Sequence, residues 1–133
     1  MSATRSTYPY AAKVYRDYLD SCLDADVRVA SNVPGDRPDR LVTIWTAPAG
    51  TTDKPRVFSW RRLIFQCWDV DEIAAGELCE TVRSYVVDSI YHHLGVRKVK
   101  VVGEPSRFDD PGDSSPRFQT TIDVLLRAQF VTP

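Results

Sequence analysis

The sequence has few cysteines and no pattern among them. Of its 133 residues only three are cysteine, Cys22, Cys67 and Cys79, and no two of them have the Cys-x-x-Cys spacing of a metal site. An odd number of thiols without paired spacing also excludes a disulfide framework. We therefore expect reduced thiols that act as small buried apolar groups, in a protein that assembles in a reducing cytosol.

Long apolar runs are missing as well. The longest contain only a few residues, such as Leu63-Ile64-Phe65, far short of the ~20 residues needed to cross a bilayer. Residues 1–7 are small and polar, and they lack the apolar stretch of a secretory signal. We predict that they form a flexible tail and that the protein has no membrane partner.

Neither sign of charge dominates. The chain has 17 Lys and Arg against 18 Asp and Glu, a net charge of −1. A dedicated nucleic-acid binder usually has a large basic excess, and an electrostatic membrane binder has basic clusters, so both classes are disfavoured. A length of 133 residues with 43% hydrophobic content predicts one domain, residues 1–133, with a single core.

What the chain does contain is a series of helix and strand patterns. An amphipathic helix is predicted from near Pro9 to Leu23–Asp26, because its apolar residues recur at spacings of three and four. Three strands are expected next, at 27–30, 41–47 and 57–68. The second half of the third, Arg62–Trp68, is apolar on both faces apart from Gln66. This indicates a central strand that is covered on both sides by helices or by another subunit.

The second predicted helix has the clearest boundaries. Asp69 is expected to be its N-cap, and Glu72, three residues on, resembles the second member of a capping box. Gly95 suits the left-handed position that ends a helix, and His92 and His93 lie favourably at the negative end of the helix dipole. The predicted buried stripe consists of Ile73, Leu78, Val82, Tyr85, Val86, Ile90 and Leu94.

The last third of the chain predicts two strands separated by a long loop. Residues 96–102 alternate, whereas 103–116 contain three prolines and four acids and are expected to be irregular. From Phe118 to Phe130 the pattern is that of a half-exposed strand. The order α-β-β-β-α-β-β predicts an α+β domain: a mostly antiparallel or mixed sheet of about five strands, with two main helices packed on one face.

Motifs that carry catalysis or bind cofactors are missing from the sequence. His92 and His93 are adjacent, so on a helix they diverge by about 100° and cannot share an ion. Cys79 lies in mid-helix, away from the helix N-terminus or histidine partner that activates a catalytic thiol. There is no glycine-rich phosphate loop, and the acidic segment 109–113 lacks the spacing of a calcium loop. The sequence therefore predicts no enzyme activity, no cofactor and no metal.

Two long loops and several aromatics at strand edges fit either protein–protein contacts or ordinary core packing. The loops span 48–56 and 103–117, which is large for a domain of this size. Aromatic and arginine residues at such edges are of the types enriched in protein interfaces. Arg61 and Arg62 are adjacent on a predicted strand and point to opposite faces, one to solvent and the other to a surface or interface ion pair.

A wider pattern runs from about residue 10 to 128. The pattern begins with the first helix. The segments that follow it along the chain are Val33–Pro38, Leu41–Ile44, Arg62–Trp68, Ala74-Ala75 after a short acidic turn, Phe108–Pro111 and Pro116–Val124. The most distinctive parts are Gln66-Cys67-Trp68 and Pro116-Arg117-Phe118-Gln119. This pattern resembles the tail terminator (tail completion) proteins of long-tailed, siphovirus-type bacteriophages, especially those that infect actinobacteria.

The resemblance implies a small α+β virion protein without cofactor or catalysis. Such proteins form a ring of six copies on the head-proximal end of the tail tube, stop its polymerisation and present the surface that joins the DNA-filled head. DNA later passes through the lumen. The partners implied are further copies of the chain in a homo-oligomeric ring, the tail tube protein and head–tail connector proteins, with assembly in the host cytoplasm. The candidate interface residues are Arg61, Arg62, Arg107 and Asp110.

Three other functions stay open. A different ring of the neck, such as a stopper or adaptor, binds the portal side and has little affinity for tail tubes. A small enzyme or ligand-binding domain would hold its site in the cleft between sheet and helices, with His92, His93, Cys79 and Asp88 as the candidates. The third is a host-directed regulatory protein that binds a bacterial partner.

Overall fold

A computed structural model of the protein describes residues 4–132, which form the α+β fold expected from the sequence. The helices in this range are α1 (Ala11–Cys22) and α2 (Glu72–Val87), and a 3-10 helix, Asp88–Tyr91, continues α2. The strands are β1 (Arg5–Thr7), β2 (Arg28–Ala30), β3 (Leu41–Ala47), β4 (Phe58–Trp68), β5 (Val96–Arg107), β6 (Arg117–Arg127) and β7 (Gln129–Val131).

The main sheet is built around β4, which is paired on both edges. The strand order is β2-β3-β4-β6-β5. All 11 residues of β4 are in register with β6, from Phe58 opposite Arg127 to Trp68 opposite Arg117. Arg62–Trp68 also pairs with β3. Because β2 runs parallel to β3 and the other pairs are antiparallel, the sheet is mixed.

The core lies between one face of this sheet and the two helices. Alternation along β4 turns Leu63, Phe65 and Cys67 toward the helices, and all three are fully buried. Tyr15 of α1 packs edge-on against Phe65 with ring centroids 6.3 Å apart, and its hydroxyl shares a 2.8 Å hydrogen bond with Ser89. Burial raises the pKa of Tyr15 far above its ordinary value, so the hydroxyl is a neutral and satisfied polar group within the core.

The N-terminal segment is more ordered than its composition predicts. The flexible tail expected at residues 1–7 is wrong for Arg5–Thr7, which pair antiparallel with Gln129–Val131 in a separate two-stranded sheet. Residues 1–3 lie outside the described residues. The pairing depends on a strand from the other end of the chain, which local composition cannot reveal.

Both helices begin later than their sequence patterns predict. The first helix starts at Ala11 rather than near Pro9. The second is capped by Asp71, whose carboxylate accepts a 2.8 Å hydrogen bond from the N–H three residues on. Asp69, the predicted cap, is buried instead and accepts a 3.0 Å hydrogen bond from Arg40. The acidic residue closer to the helix therefore takes the capping position.

The buried stripe of α2 is narrower than predicted. Leu78, Val82 and Val86 lie in the core as expected, but Ile73 is 73% exposed and Ile90 is 38% exposed. At 100° per residue, Ile73 lies about 140° around the helix from Leu78, which places it on the outer side. No helix formed by residues 4–132 combines the length and apolar character needed to cross a membrane.

The loop predicted at 103–116 is shorter than expected. Strand β5 continues through Pro105 to Arg107, so the irregular segment covers only 108–116. Proline is tolerated because β5 is an edge strand of the described sheet, and register shifts along the strand absorb the irregularity. Gly95, just before β5, has a φ of +75°, the left-handed conformation expected there. It does not end the second helix as predicted, because the 3-10 helix that continues α2 already ends at Tyr91.

Matched truncations on the two sides of α2 should have effects of very different size on stability. Leu78→Ala removes a buried side chain and should lower the free energy of unfolding by about 2–5 kcal/mol. Ile73→Ala removes an exposed side chain of the same size and should change it by less than about 0.5 kcal/mol. Urea unfolding followed by circular dichroism measures both values. Equal losses would show that Ile73 packs into the core.

Candidate functional site

The face of the main sheet that points away from the core is covered by neither of the helices that residues 4–132 form. Side chains alternate along β4, so Arg62, Ile64 and Gln66 point to this side. Strand pairing places Trp45, which is 45% exposed, beside Ile64, and Asp123 beside Arg62. The sequence predicted that both faces of β4 are covered by helices or by another subunit. In the structure the helices cover only one of these faces. We define the helix-free face by Thr43, Trp45, Ile64, Gln66, Gln119 and the pair Arg62 and Asp123.

Polar groups on the helix-free face bind one another across three strands. The Thr43 hydroxyl donates to Gln66 Oε1 at 3.4 Å, and Gln66 Nε2 donates to Gln119 Oε1 at 3.0 Å. Arg62 donates to both oxygens of the buried Asp123 carboxylate, at 2.8 and 3.0 Å. This bidentate pair neutralises a charge that would be costly to bury alone. These side-chain hydrogen bonds link β3, β4 and β6 and stabilise the sheet, whereas the buried Nε1 of Trp68, at one end of the face, has no hydrogen-bond partner in the described part of the chain.

One end of the helix-free face is closed by two loops that meet around Trp68. The guanidinium carbons of Arg37 and Arg117 lie 5.9 and 5.5 Å from the Trp68 ring centroid. Arg37 also binds Asp113 at 2.8 Å and donates to the Ser115 hydroxyl at 2.7 Å, which joins the loop before β3 to the loop before β6. The N–H of Ser115 and the charge of Arg37 hold the pKa of Asp113 below its ordinary value.

Arg61 and Arg62 lie on opposite faces of β4, as alternation predicts. Arg62 forms the ion pair with Asp123, which agrees with the expected surface or interface ion pair. Arg61 does not extend freely into solvent, because its guanidinium carbon lies 5.0 Å from the Tyr8 ring centroid and it binds the Ser59 hydroxyl. The two arginines therefore contribute to different surfaces.

Arg107 and Asp110 lie toward the Trp68 end of the sheet, away from Arg61 and Arg62. Arg107 binds Asp109 at 3.1 Å and approaches Glu72 at 3.5 Å. The Asp110 carboxylate accepts a 3.0 Å hydrogen bond from the Gly112 N–H, which shapes the turn. The structure thus divides the four candidate interface residues between two ends of the sheet and does not bring them into one site.

The residues of the enzyme alternative do not converge. Cys79 is fully buried beside Cys67, whose thiol pKa is raised chiefly by burial. Asp88 and His92 follow the end of α2 and lie at least roughly 13 Å along the helix axis from Cys79. His93 lies beyond them in a left-handed backbone conformation, with a φ of +57°. Within residues 4–132 no three His, Cys, Asp or Glu side chains are grouped as metal ligands would be.

A depression of about 220 Å³ lies between α1 and α2, with Arg40 in its wall. The Arg40 guanidinium donates to Asp26 at 2.9 Å and to Asp69 at 3.0 Å, and lies 3.5 Å from Asp24. The cation is therefore held by acids of the same chain. Its arrangement stabilises the contact between the loop after α1 and the start of α2.

The helix-free face was not predicted as a unit from the sequence, although its signals were present. Trp45 ends an otherwise buried apolar run, and Arg62–Trp68 is apolar on both faces. Alternation separates two faces but does not say which one the helices cover, so the exposed side could not be assigned. The sequence matches no protein-family model, and no curated protein matches it significantly.

Thiol labelling should distinguish Cys22 from the other two cysteines. Cys22 is partly exposed, whereas Cys67 and Cys79 are buried. A maleimide should therefore add one label to the folded chain, at Cys22, and label all three thiols in urea; peptide mass spectrometry identifies the sites. Rapid labelling of Cys79 in the folded chain would contradict its burial and favour the enzyme alternative.

Removing Arg62 alone should destabilise the fold more than removing both members of its ion pair. Arg62→Met leaves the buried Asp123 carboxylate without its cation, whereas Arg62→Met with Asp123→Leu removes the charge as well. The urea midpoint should fall in the single variant and recover in the double variant. Lys13→Met, which breaks an exposed ion pair with Asp17, is the control and should leave the midpoint nearly unchanged. Equal midpoints for the single and double variants would contradict the claim that an unpaired Asp123 carboxylate is costly to bury.

Proposed function

We propose that this chain is a virion structural protein of a long-tailed bacteriophage that caps the tail tube as a ring. In this role it stops tube polymerisation and provides the surface to which the head joins. Its place is the head-proximal end of the tail, after assembly in the host cytoplasm. Its partners are further copies of itself, six in the ring by the resemblance, the tail tube protein and the head–tail connector proteins.

The observation that carries the proposal is where the resembling segments lie. Four of them are distant in sequence: Val33–Pro38, Gln66-Cys67-Trp68, Phe108–Pro111 and Pro116–Gln119. They contribute Arg37, Trp68, Phe108 and Arg117 to one end of the helix-free face, where Arg117 lies 5.5 Å from the Trp68 ring and 5.3 Å from the Phe108 ring. Segments that resemble a family only by chance are not expected to lie close together in the fold. Segments that form one packing unit are expected to do so.

The helix-free face supports an assembly role. The polar side chains that define this face bind one another within the chain, and Trp45 and Ile64 provide apolar area for a partner protein. Aromatic residues surrounded by satisfied polar groups are typical of the centres of protein interfaces. A flat strand surface of this kind suits contact with another protein better than it suits enclosure of a small molecule.

Ring symmetry provides the mechanism of termination. A contact between two different surfaces of the subunit closes into a ring when the rotation between copies is right. One surface of that ring matches the end of the tube, and the opposite surface does not, so no further tube subunit can add. The net charge of −1 suits the lumen, because a strongly basic channel would hold the DNA rather than release it.

Electron microscopy of particles from a phage whose copy of this gene is blocked tests the proposal. We expect DNA-filled heads beside free tails of abnormal, unregulated length, because nothing ends tube polymerisation. Supplying the intact gene in trans is the control and should restore normal tails. Free tails of normal length would assign the protein to a later joining step, such as that of a stopper or adaptor. Complete infectious particles would refute a structural role.

A further inference from the structure

A group of cations lies on the helix-free side of the sheet although the chain is almost neutral. Lys98 pairs with Leu125 and Lys100 pairs with Asp123, so both lysines lie on the helix-free side. Arg127 follows Leu125 by two residues on β6 and points to the same side. All three cations are exposed. We call Lys98, Lys100 and Arg127 the basic corner.

The basic corner has no acid of its own. None of its three cations forms an ion pair within the described part of the chain. Asp123, the acid opposite Lys100, is buried and already bound by Arg62 at 2.8 Å. Arg97, which is exposed next to Lys98, adds to the positive charge. An uncompensated cluster of this kind attracts a negatively charged surface.

A negatively charged surface lies on the other side of the sheet, along α2. Glu72, Glu77 and Glu80 are exposed there, and across residues 4–132 neither Glu77 nor Glu80 has an ion-pair partner. They border a groove of about 430 Å³, which also presents the exposed side chain of Ile73. We call this the acidic groove; its lining is Glu72, Ile73, Gly76, Glu77, Glu80, Pro105 and Phe118.

The free edge of β5 is poorly suited to strand pairing with a second copy. Pro105 has no N–H to donate, and register shifts interrupt the strand. Glu104 is held by Arg83 of α2 at 2.6 Å, which places a charged pair beside this part of the strand. Contacts between copies are therefore expected through faces rather than through strand edges.

We infer that copies of this chain associate head to tail, with the basic corner of one copy seated in the acidic groove of the next. The inference rests on the proposed ring and names its subunit contact. Surfaces of opposite charge on opposite sides of one subunit make a heterologous contact, which is the type that can close into a ring.

The same observations favour a second copy over a nucleic acid as the occupant of the basic corner. A chain that binds itself through charge needs both a positive and a negative surface, and the basic corner and the acidic groove provide them. A nucleic-acid site needs no acidic counterpart. The exposed Ile73 within the acidic groove also offers apolar area that a second protein surface can bury.

Charge reversal on each side tests the contact in the purified full-length chain. The variants are K98E/K100E in the basic corner and E77K/E80K in the acidic groove. K13E/R16E on α1 is the matched control, because it makes the same change in net charge as K98E/K100E on a different element. Circular dichroism checks that each variant is folded, and sedimentation velocity at low and physiological salt measures self-association.

Wild-type protein and control should self-associate, and more strongly at low salt. Each reversal should weaken association by at least about tenfold, because like charges then face each other. An equimolar mixture of K98E/K100E and E77K/E80K should associate again, since every reversed corner can meet a reversed groove. A wild-type chain that stays monomeric, or a mixture that associates no better than its components, overturns the inference.

A labelled DNA duplex is the second probe. If K98E/K100E loses DNA binding while its self-association is unchanged, the basic corner is a nucleic-acid site and the inference is wrong. These measurements use no tail tube. Failure here therefore leaves tail capping to be decided by the microscopy above, and failure of capping leaves the subunit contact to be decided here.

Discussion

Hydrogen bonding of β4 to β3 on one edge and to β6 on the other holds the sheet together and sets the direction of every side chain along the strand. With both edges occupied, β4 can meet the rest of the molecule only through its two faces. Both helices use the same face, and Phe65 and Tyr15 pack together there. The opposite face is stabilised by internal polar pairs and by the loops around Trp68. The proposed role in assembly follows from this asymmetry.

Helices and strands with a regular repeat of buried apolar residues could be predicted from the sequence. Elements that form only by pairing with a distant part of the chain could not. Alternation located β3 and β6, and Gly95 marked the left-handed position before β5. The single strand predicted from Phe118 to Phe130 is divided at Ala128, and its last part, Gln129–Val131, pairs with the polar segment Arg5–Thr7 from the other end of the chain. Ile73 was included in the predicted buried stripe because it is apolar, but it lies on the outer side of its helix, away from the sheet.

The candidate site shows the same division. That Arg61 and Arg62 lie on opposite faces follows from the two-residue period of a strand, but the partners of each, Tyr8 and Asp123, come from distant segments. A net charge of −1 does not reveal the basic corner on one side of the sheet or the acidic groove on the other, because composition carries no information about where a residue lies in the fold. The surfaces that support the proposed function are therefore defined only by the folded arrangement.

Electron cryomicroscopy of complete virions tests the central claim most directly. We predict a ring of this chain at the junction between the head and the tail tube, in which each copy contacts its neighbour through opposite sides of the main sheet. Absence of the chain from purified virions, or its presence only in the tail tip or capsid shell, would contradict the account.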